Sequence, residues 1–381
     1  MVMYARALKT PVGTTLLLGP RATGKSTWLE QCLPQAHRFD LLDTQLALRL
    51  AAEPARFAQA VEALPEGAWV VVDEIQKVPA LLDEVHRLDG KRARRFVLSG
   101  SSARKLRRGS ANLLAGRALR MDMFPLVSGE LGGPITLDRM AFGCLPRAVD
   151  LEDPRAYLEA YADTYVREEV QAEALTRNIG GFARFLEIAA RQNGQSTNVS
   201  SIARDAAVAR PTVQGFFDVL VDTLLGWWLP AWKHKPANKL VSHPKFYFFD
   251  AGVVRALARR LSYATSPEEL GTQFETCLLH EIRAFLSYSG LGFPLHYYRT
   301  HDGAEVDLVV ETRQGHLAIE FKSTRDWRAS HERGFDSLRR HLPELTCLGV
   351  YAGDRPLQTE RCRVLPYGEF LQGLWAGEWI R

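Results

Sequence analysis

Gly19-Pro20-Arg21-Ala22-Thr23-Gly24-Lys25-Ser26 fits the phosphate-binding loop pattern G-x-x-x-x-G-K-[ST] at every fixed position. The stretch before it, Thr14-Thr15-Leu16-Leu17-Leu18, reads as a buried strand, and Thr27 to Leu33 continues as a helix. In such a strand–loop–helix unit, successive backbone N–H groups wrap a β-phosphate and the helix N-terminus adds a positive dipole end. The residues from Gly19 through Ser26, with Thr27 after them, are the expected nucleotide-binding segment. Lys25 would reach the β- and γ-phosphates of ATP, and the Ser26 hydroxyl would ligate Mg²⁺.

The second half of a nucleotide site follows in Trp69-Val70-Val71-Val72-Asp73-Glu74, an apolar run ending in two carboxylates, with Asp73 48 residues after Lys25. That is the pattern of a buried parallel strand whose carboxyl end opens onto a site. Asp73 would hold the Mg²⁺ shell and Glu74 would polarise the attacking water. A third strand, Arg95-Phe96-Val97-Leu98-Ser99, runs into Gly100-Ser101-Ser102. Turn chemistry alone reads these serines as strand-end caps. The arrangement also resembles the sensor-1 strand of AAA-type ATPases, which implies that Ser99 or Ser101 contacts the γ-phosphate or the water.

At 381 residues the chain exceeds one ordinary domain, and 46% hydrophobic with 24% charged residues is an ordinary globular balance. No apolar run reaches membrane-spanning length; Phe216 to Trp232 comes closest and is broken by Asp218 and Asp222. The N-terminus shows no signal-peptide pattern, so a cytoplasmic protein is expected. Five scattered cysteines without a C-x-x-C pair suggest reduced thiols, neither a disulfide frame nor a zinc site. The net charge is only +4, but Lys91 to Arg120 holds ten Lys or Arg and no acid. This reads as a solvated face, a nucleic-acid track, or a source of arginine fingers for the ATP of a neighbouring copy in a homo-oligomer, with Arg117 the preferred finger.

Residues 1–135 alternate strand and helix, as a doubly wound α/β domain does. Residues 136–179 form a helical lid or connector, in which Tyr157, Leu158, Tyr161 and Tyr165 offer an apolar stripe beside Arg167, Glu168 and Glu169. Residues 180–262 read as a winged helix: a first helix around Phe185 to Ala189, a short second over Ser201 to Ala206 capped by Ser200, and a third started by Pro211. Val213, Phe217, Leu220 and Leu224 of that third helix recur at helical spacing and are expected to face the core. Trp227 to Lys233 and Lys245 to Phe249 then form a wing made basic by Lys233, Lys235, Lys239 and Lys245. Helix-turn-helix order suggests DNA, while Asp218 and Asp222 would oppose phosphates and leave an interdomain packing module as the other reading.

Residues 263–381 carry a second chemical signal. A helix over Gly271 to Tyr288 holds Glu275 and Glu281; after a turn at Asp302-Gly303 comes the strand Glu305 to Val310, and after Gln314-Gly315 the strand His316 to Lys322. A strand period of two puts Glu320 and Lys322 on one face and Ile319 and Phe321 on the other. Adjacent strands would then gather Asp307, Glu320 and Lys322, with Glu275 delivered from the helix. Converging carboxylates bind Mg²⁺ or Mn²⁺, and a nearby lysine can orient or activate a hydrolytic water.

Acidic helix, D and E-x-K in this order resemble the PD-(D/E)XK nuclease superfamily. Over nearly its full length the chain resembles a prokaryotic family of AAA-type ATPases with a winged helix and a carboxy-terminal restriction-endonuclease-like domain. The resemblance rests on Gly19 to Ser26, Val70 to Glu74, Val97 to Ser102, Phe246 to Gly252, Phe274-Glu275, Tyr298 to Thr300, Glu305 to Asp307 and Glu320 to Lys322. Phe124 to Glu130 departs from the family pattern in lacking a further aromatic and any arginine. The expected fold class is therefore α/β, an AAA-type P-loop domain followed by a winged-helix domain and a restriction-endonuclease-like α/β domain. The expected function is an ATPase coupled to a nuclease-like domain that binds DNA and is a candidate for cleaving it. The alternatives are a regulatory NTPase whose nuclease-like domain is inactive and contacts DNA or a protein partner, and a ring-forming ATPase that remodels such a partner.

Overall fold

Val70, Val71 and Val72 are buried to 0–1% exposure, because their strand lies inside a parallel sheet. This computed structural model describes residues 2–89, 94–102, 118–166, 178–233 and 243–381. The chain divides into two units, Arg6–Pro125 with Val219–Leu225, and Met1–Ala5 with Leu126–Asp218 and Gly226–Arg381.

The P-loop unit holds β1 (Thr15–Leu18), β2 (His37–Asp40), β3 (Trp69–Asp73), β4 (Arg95–Gly100) and β5 (Leu119–Asp122) in the order β2-β3-β4-β1-β5. All four described pairings are parallel. Its helices are α1 (Lys25–Cys32), α2 (Thr44–Ala52), α3 (Ala55–Glu62) and α4 (Leu81–Asp89). Phe39, Phe57, Val70, Val72, Leu81, Phe96 and Leu98 fill the core on one side of the sheet. What matters for the site is strand order. β4 lies between β1 and β3, with Ser99 beside Leu17 and Leu98 beside Val72. The loop after β1 and the acids at the end of β3 therefore flank the end of β4, where an open α/β sheet presents its ligand crevice.

The other unit opens with short helices α5 (Ser128–Leu131), α6 (Leu137–Met140), α7 (Pro146–Asp150) and α8 (Arg155–Ala160), the last running into a π turn at Tyr161–Val166. Leu158 and Tyr161 are buried. Arg167, Glu168 and Glu169 lie outside the described residues. Three helices follow, α9 (Ile179–Arg191), α10 (Val199–Asp205) and α11 (Arg210–Asp222), and then an antiparallel hairpin of β6 (Gly226–Leu229) and β7 (Lys245–Phe248). Asn198, not Ser200, caps α10, its side chain accepting the N–H groups of Ser200 and Ser201. Leu224 is past the end of α11, at φ 62. Phe217 nonetheless joins the aromatic cluster of Phe185, Trp228 and Phe246 expected of a helix face turned inward.

After α12 (Ala251–Leu257) comes the long α13 (Pro267–Tyr288), which starts four residues earlier than expected because Ser266 accepts the N–H of Glu269 and Pro267 suits the first turn. A sheet follows with β8 (Leu295–Arg299), β9 (Glu305–Thr312), β10 (Gly315–Lys322), β11 (Leu345–Tyr351), β12 (Leu357–Gln358) and β13 (Arg363–Pro366), in the order β12-β13-β11-β10-β9-β8. The β8–β9–β10 meander is antiparallel, whereas β11 joins β10 in parallel, a crossover made through α14 (Arg333–Arg339). The chain ends in α15 (Tyr367–Trp375). Phe274, Leu278 and Ile282 of α13 share one core with Leu317, Ile319 and Phe321. Glu320 and Lys322 take the alternate positions of β10. Among the described residues, no helix is long and apolar enough to cross a membrane.

Candidate active sites

The P-loop is shaped by backbone constraints before any ligand enters. A Cβ on Gly19 would fall on the carbonyl oxygen of Met123, so only glycine fits there. Gly24 turns into α1 at φ 92, and Ala22 also adopts a left-handed conformation, φ 62. Arg6 braces the loop from behind, donating to the carbonyls of Thr23 (2.7 Å) and Phe124 (2.6 Å). The Thr23 hydroxyl donates back to Pro20 at 2.9 Å. Lys25 is 6% exposed and lies across the loop, its ammonium donating to the carbonyls of Gly19 (2.8 Å) and Pro20 (3.0 Å).

Opposite the loop, Ser26 Oγ donates to Asp73 Oδ2 at 2.5 Å, and Ser99 Oγ donates to Asp73 Oδ1. Two hard oxygen donors on adjoining elements suit Mg²⁺, which takes one or two carboxylates together with substrate phosphates. Ser26 and Asp73 therefore fit that ion. Glu74 stands at φ 55 and is 8% exposed. Its carboxylate accepts from Gln76 Nε2 and from Ser101 Oγ at 3.3 Å. The serine near the end of β4 and the one just past it thus serve different acids, Ser99 the first and Ser101 the second. Arg117, the expected finger, lies outside the described residues.

In the carboxy-terminal unit a cavity of about 540 Å³ is lined by Lys245, Glu275, Arg299, Glu305, Asp307, Glu320 and Lys322, among others. Two lysines organise its acids. Lys322 Nζ lies 2.5 Å from Glu320 Oε1 and 3.7 Å from Asp307 Oδ2. Asp307 Oδ2 also accepts the Phe321 N–H at 2.8 Å, tying β9 to β10. Lys245 Nζ lies 2.8 Å from Glu305 and 3.3 Å from Glu275, which also accepts from the Tyr247 hydroxyl. The expected quartet is therefore gathered around one cavity, but Glu275 is paired with Lys245 and Tyr247, apart from the Asp307–Lys322–Glu320 group.

Burial governs the electrostatics here. It pushes the Glu320 carboxyl well up, reinforced by Asp307, and outweighs the pull of Lys322. Burial also raises Glu275 against the opposing effect of Lys245. Burial pulls the other way on the two lysines, yet the surrounding carboxylates win and hold both above their ordinary value. Among the described residues no three His, Cys, Asp or Glu side chains form a metal-holding group. Glu275, Asp307 and Glu320 are thus not a three-carboxylate centre in this arrangement. The Asp307–Glu320 pair remains suitable for one divalent ion, because Glu320 Oε2 is buried with no hydrogen-bond partner.

Sequence reasoning missed Arg6, Gln76, Tyr247 and Glu305, and placed Lys245 on a basic wing. The structure corrects that placement: Lys245 is 3% exposed and its charge is met internally. Lys233 is exposed, and Lys235 and Lys239 lie outside the described residues. The signal for Lys245 and Tyr247 was their period-two spacing on a strand, which puts both on the same face.

Residues 13–132 match a family described as AAA domain, residues 135–264 one described as Domain of unknown function (DUF8612), and residues 270–370 one described as Domain of unknown function (DUF4143). The uncharacterized proteins Mb2031c of Mycobacterium bovis and Rv2008c of Mycobacterium tuberculosis are each 28% identical over 331 residues, 84% of this chain and 72% of theirs. Among solved structures, the Aeropyrum pernix ORC1 protein in complex with DNA aligns at a TM-score of 0.32 and 14% identity, over 65% of this chain and 86% of that one. Can2 from Sulfobacillus thermosulfidooxidans in complex with cyclic tetra-adenylate aligns at 0.21 and 14%, over 96% and 99%. Scores this low carry no argument about this chain. The amino-terminal third carries an AAA-type P-loop domain, an α/β fold on a parallel sheet.

Proposed function

We propose that the protein binds and hydrolyses ATP with Mg²⁺, and that this activity switches a carboxy-terminal winged-helix and nuclease-like unit that binds DNA. The observation that carries the ATPase is the meeting of Ser26, Asp73 and Ser99 at the end of β4, beside the Gly19–Lys25 loop. Lys25 exchanges its loop carbonyls for phosphate oxygens, which as anions are the stronger acceptors. Ser26 and Asp73 would hold Mg²⁺, which would supply charge neutralisation to the polyphosphate. Glu74 orients and polarises the attacking water, with Gln76 and Ser101 fixing its carboxylate. Lys25→Ala should abolish nucleotide binding. Glu74→Gln should leave binding intact and lower turnover by about 10²-fold or more; wild-type turnover in Glu74→Gln would overturn this assignment.

For the carboxy-terminal unit, the reading rests on Asp307 and Glu320 facing one cavity with Lys322 between them. Asp307 and the orphaned Glu320 oxygen would hold Mg²⁺ or Mn²⁺, which supplies Lewis-acid stabilisation of a phosphodiester. Lys322 would orient the water that attacks it. The α9–α10–α11 helices with the β6–β7 hairpin support a winged helix that holds the DNA. A second reading, an inactive nuclease-like fold that contacts DNA or a partner, is favoured by one observation, the internal pairing of Glu275 with Lys245. Cleavage of labelled single-stranded, duplex and branched DNA with Mn²⁺ or Mg²⁺, with and without ATP, separates the two. Cutting that is lost in Lys322→Ala supports the first reading; no cutting by protein that still hydrolyses ATP supports the second.

A further inference from the structure

A second cavity, about 350 Å³, lies between α9, α12 and the amino-terminal half of α13. Its lining shares only Gln195 with that of the Asp307 cavity. On its wall stands Gln273, 3% exposed, with neither Oε1 nor Nε2 hydrogen-bonded. Several neighbouring polar groups are matched to each other, while Glu269 Oε2 on the same wall is a second buried acceptor without a hydrogen bond. Asn193 Nδ2 donates to Thr276 Oγ1 at 2.9 Å, Asn193 Oδ1 accepts the Phe248 N–H at 2.8 Å, and the Thr276 hydroxyl donates to the Thr272 carbonyl at 2.7 Å. A buried carboxamide with both ends unmet is costly, and buried polar groups in folded proteins are satisfied with few exceptions. Either water or a ligand completes this one.

The rest of the cavity describes the ligand. Ala190, Ala251, Val254 and Ala258 supply apolar wall on which a flat ring can lie. Arg255 and Arg260 both pair with Glu269, and Arg255 also donates to the carbonyls of Arg260 and Tyr263. Arg255 is engaged by these bonds, and the hydrogen-bonding atoms left open on the wall are Gln273 Oε1 and Nε2 and Glu269 Oε2, a set that favours an edge with an amino donor and one ring acceptor over an anion. At 350 Å³ the cavity is within the range of small-molecule sites, about 300–1,000 Å³. We propose that it binds a nucleobase bearing an amino group beside a ring nitrogen, the edge that adenine presents. Gln273 Oε1 accepts from the amino group and Nε2 donates to the ring nitrogen, the bidentate pairing that glutamine makes with adenine. Such a base can come from a free nucleoside or from an unpaired position in a single strand.

The test uses the full chain carrying Lys25→Ala, which silences phosphate-led binding at the P-loop, titrated calorimetrically with adenosine, purine riboside and oligo(dA). Saturable binding of adenosine that weakens about tenfold or more in Gln273→Leu supports the proposal and names a free nucleoside as the source. Binding confined to oligo(dA), with the same dependence on Gln273, supports it with an unpaired strand as the source. Purine riboside lacks the amino group and should bind more weakly than adenosine. Gln273→Glu preserves the shape while removing the donor; it should also weaken adenosine, and it reads the site if Gln273→Leu fails to fold. No saturable binding of adenosine or oligo(dA), or equal binding by the Gln273 variants, overturns the proposal and leaves a hydrated cavity.

Discussion

Lys25 and Lys245 are both buried, and what surrounds each decides its use. Lys25 donates to two carbonyls of the phosphate-binding loop itself, whereas Lys245 sits between two carboxylates and over the ring of Tyr297. Replacing Lys245 by Met should cost about 3–5 kcal/mol, because Glu275 and Glu305 lose their buried counter-charge. The double variant Lys245→Met with Glu275→Gln should recover part of that loss. Urea unfolding of the four proteins measures the coupling, and strictly additive effects would show that the pair is not coupled. Gln76 acts differently: its amide nitrogen donates to the Glu74 carboxylate and to Ser101. Gln76→Leu should lower ATP turnover about 10- to 100-fold with nucleotide affinity unchanged, which steady-state hydrolysis and a fluorescent-nucleotide titration would check. Unchanged turnover would mean that Ser101 alone suffices to place the carboxylate.

Helix starts show how side chains decide where elements begin. Asn198 caps α10 through Ser200 and Ser201, so Asn198→Ala should cost about 1 kcal/mol in thermal or urea unfolding. Asp250 does more. One carboxylate oxygen accepts the Val253 N–H to start α12, and the other accepts the Cys144 N–H at 2.6 Å from a distant segment. Asp250→Ala should therefore destabilise by more than Asn198→Ala. The elements of the two candidate sites were legible for different reasons: continuous apolar strand runs with the Gly19–Gly24 loop in one, and a strand period of two with glycine turns at Gly303 and Gly315 in the other. The cap of α10 was not, since Asn198 and Ser200 are both good caps and only the fold selects between them. Nor were α5 and α6, whose four residues are too few to show a helical period. Burial of Lys245 was invisible for another reason: its partners Glu275 and Glu305 are 30 and 60 positions away in sequence.

At the scale of the whole molecule, two buried carboxyls make stability depend on pH. Burial raises Glu281 to about 7 and Asp250 to about 6, against the hydrogen bonds that favour their charged forms. Glu281 accepts from Ser128 N (2.6 Å), Ser128 Oγ (3.0 Å) and Trp375 Nε1 (2.7 Å), so it fastens α5 and α15 to α13. In the unfolded chain both acids ionise near 4, well below their folded values. Between those limits the native state holds more protons than the unfolded state. Their contribution to stability is therefore full below about pH 4, falls as pH rises through 6 to 7, and is constant above. For Glu281 the loss is on the order of 3 kcal/mol, from roughly 2.5 pK units at 1.36 kcal/mol each. The urea midpoint of the wild type should fall between pH 5 and pH 8. Glu281→Gln should flatten that slope while lowering the midpoint at pH 5, since its amide nitrogen meets a group that is itself a donor. A slope unchanged in Glu281→Gln would mean that this carboxyl stays ionised in the folded protein, held so by its three donors.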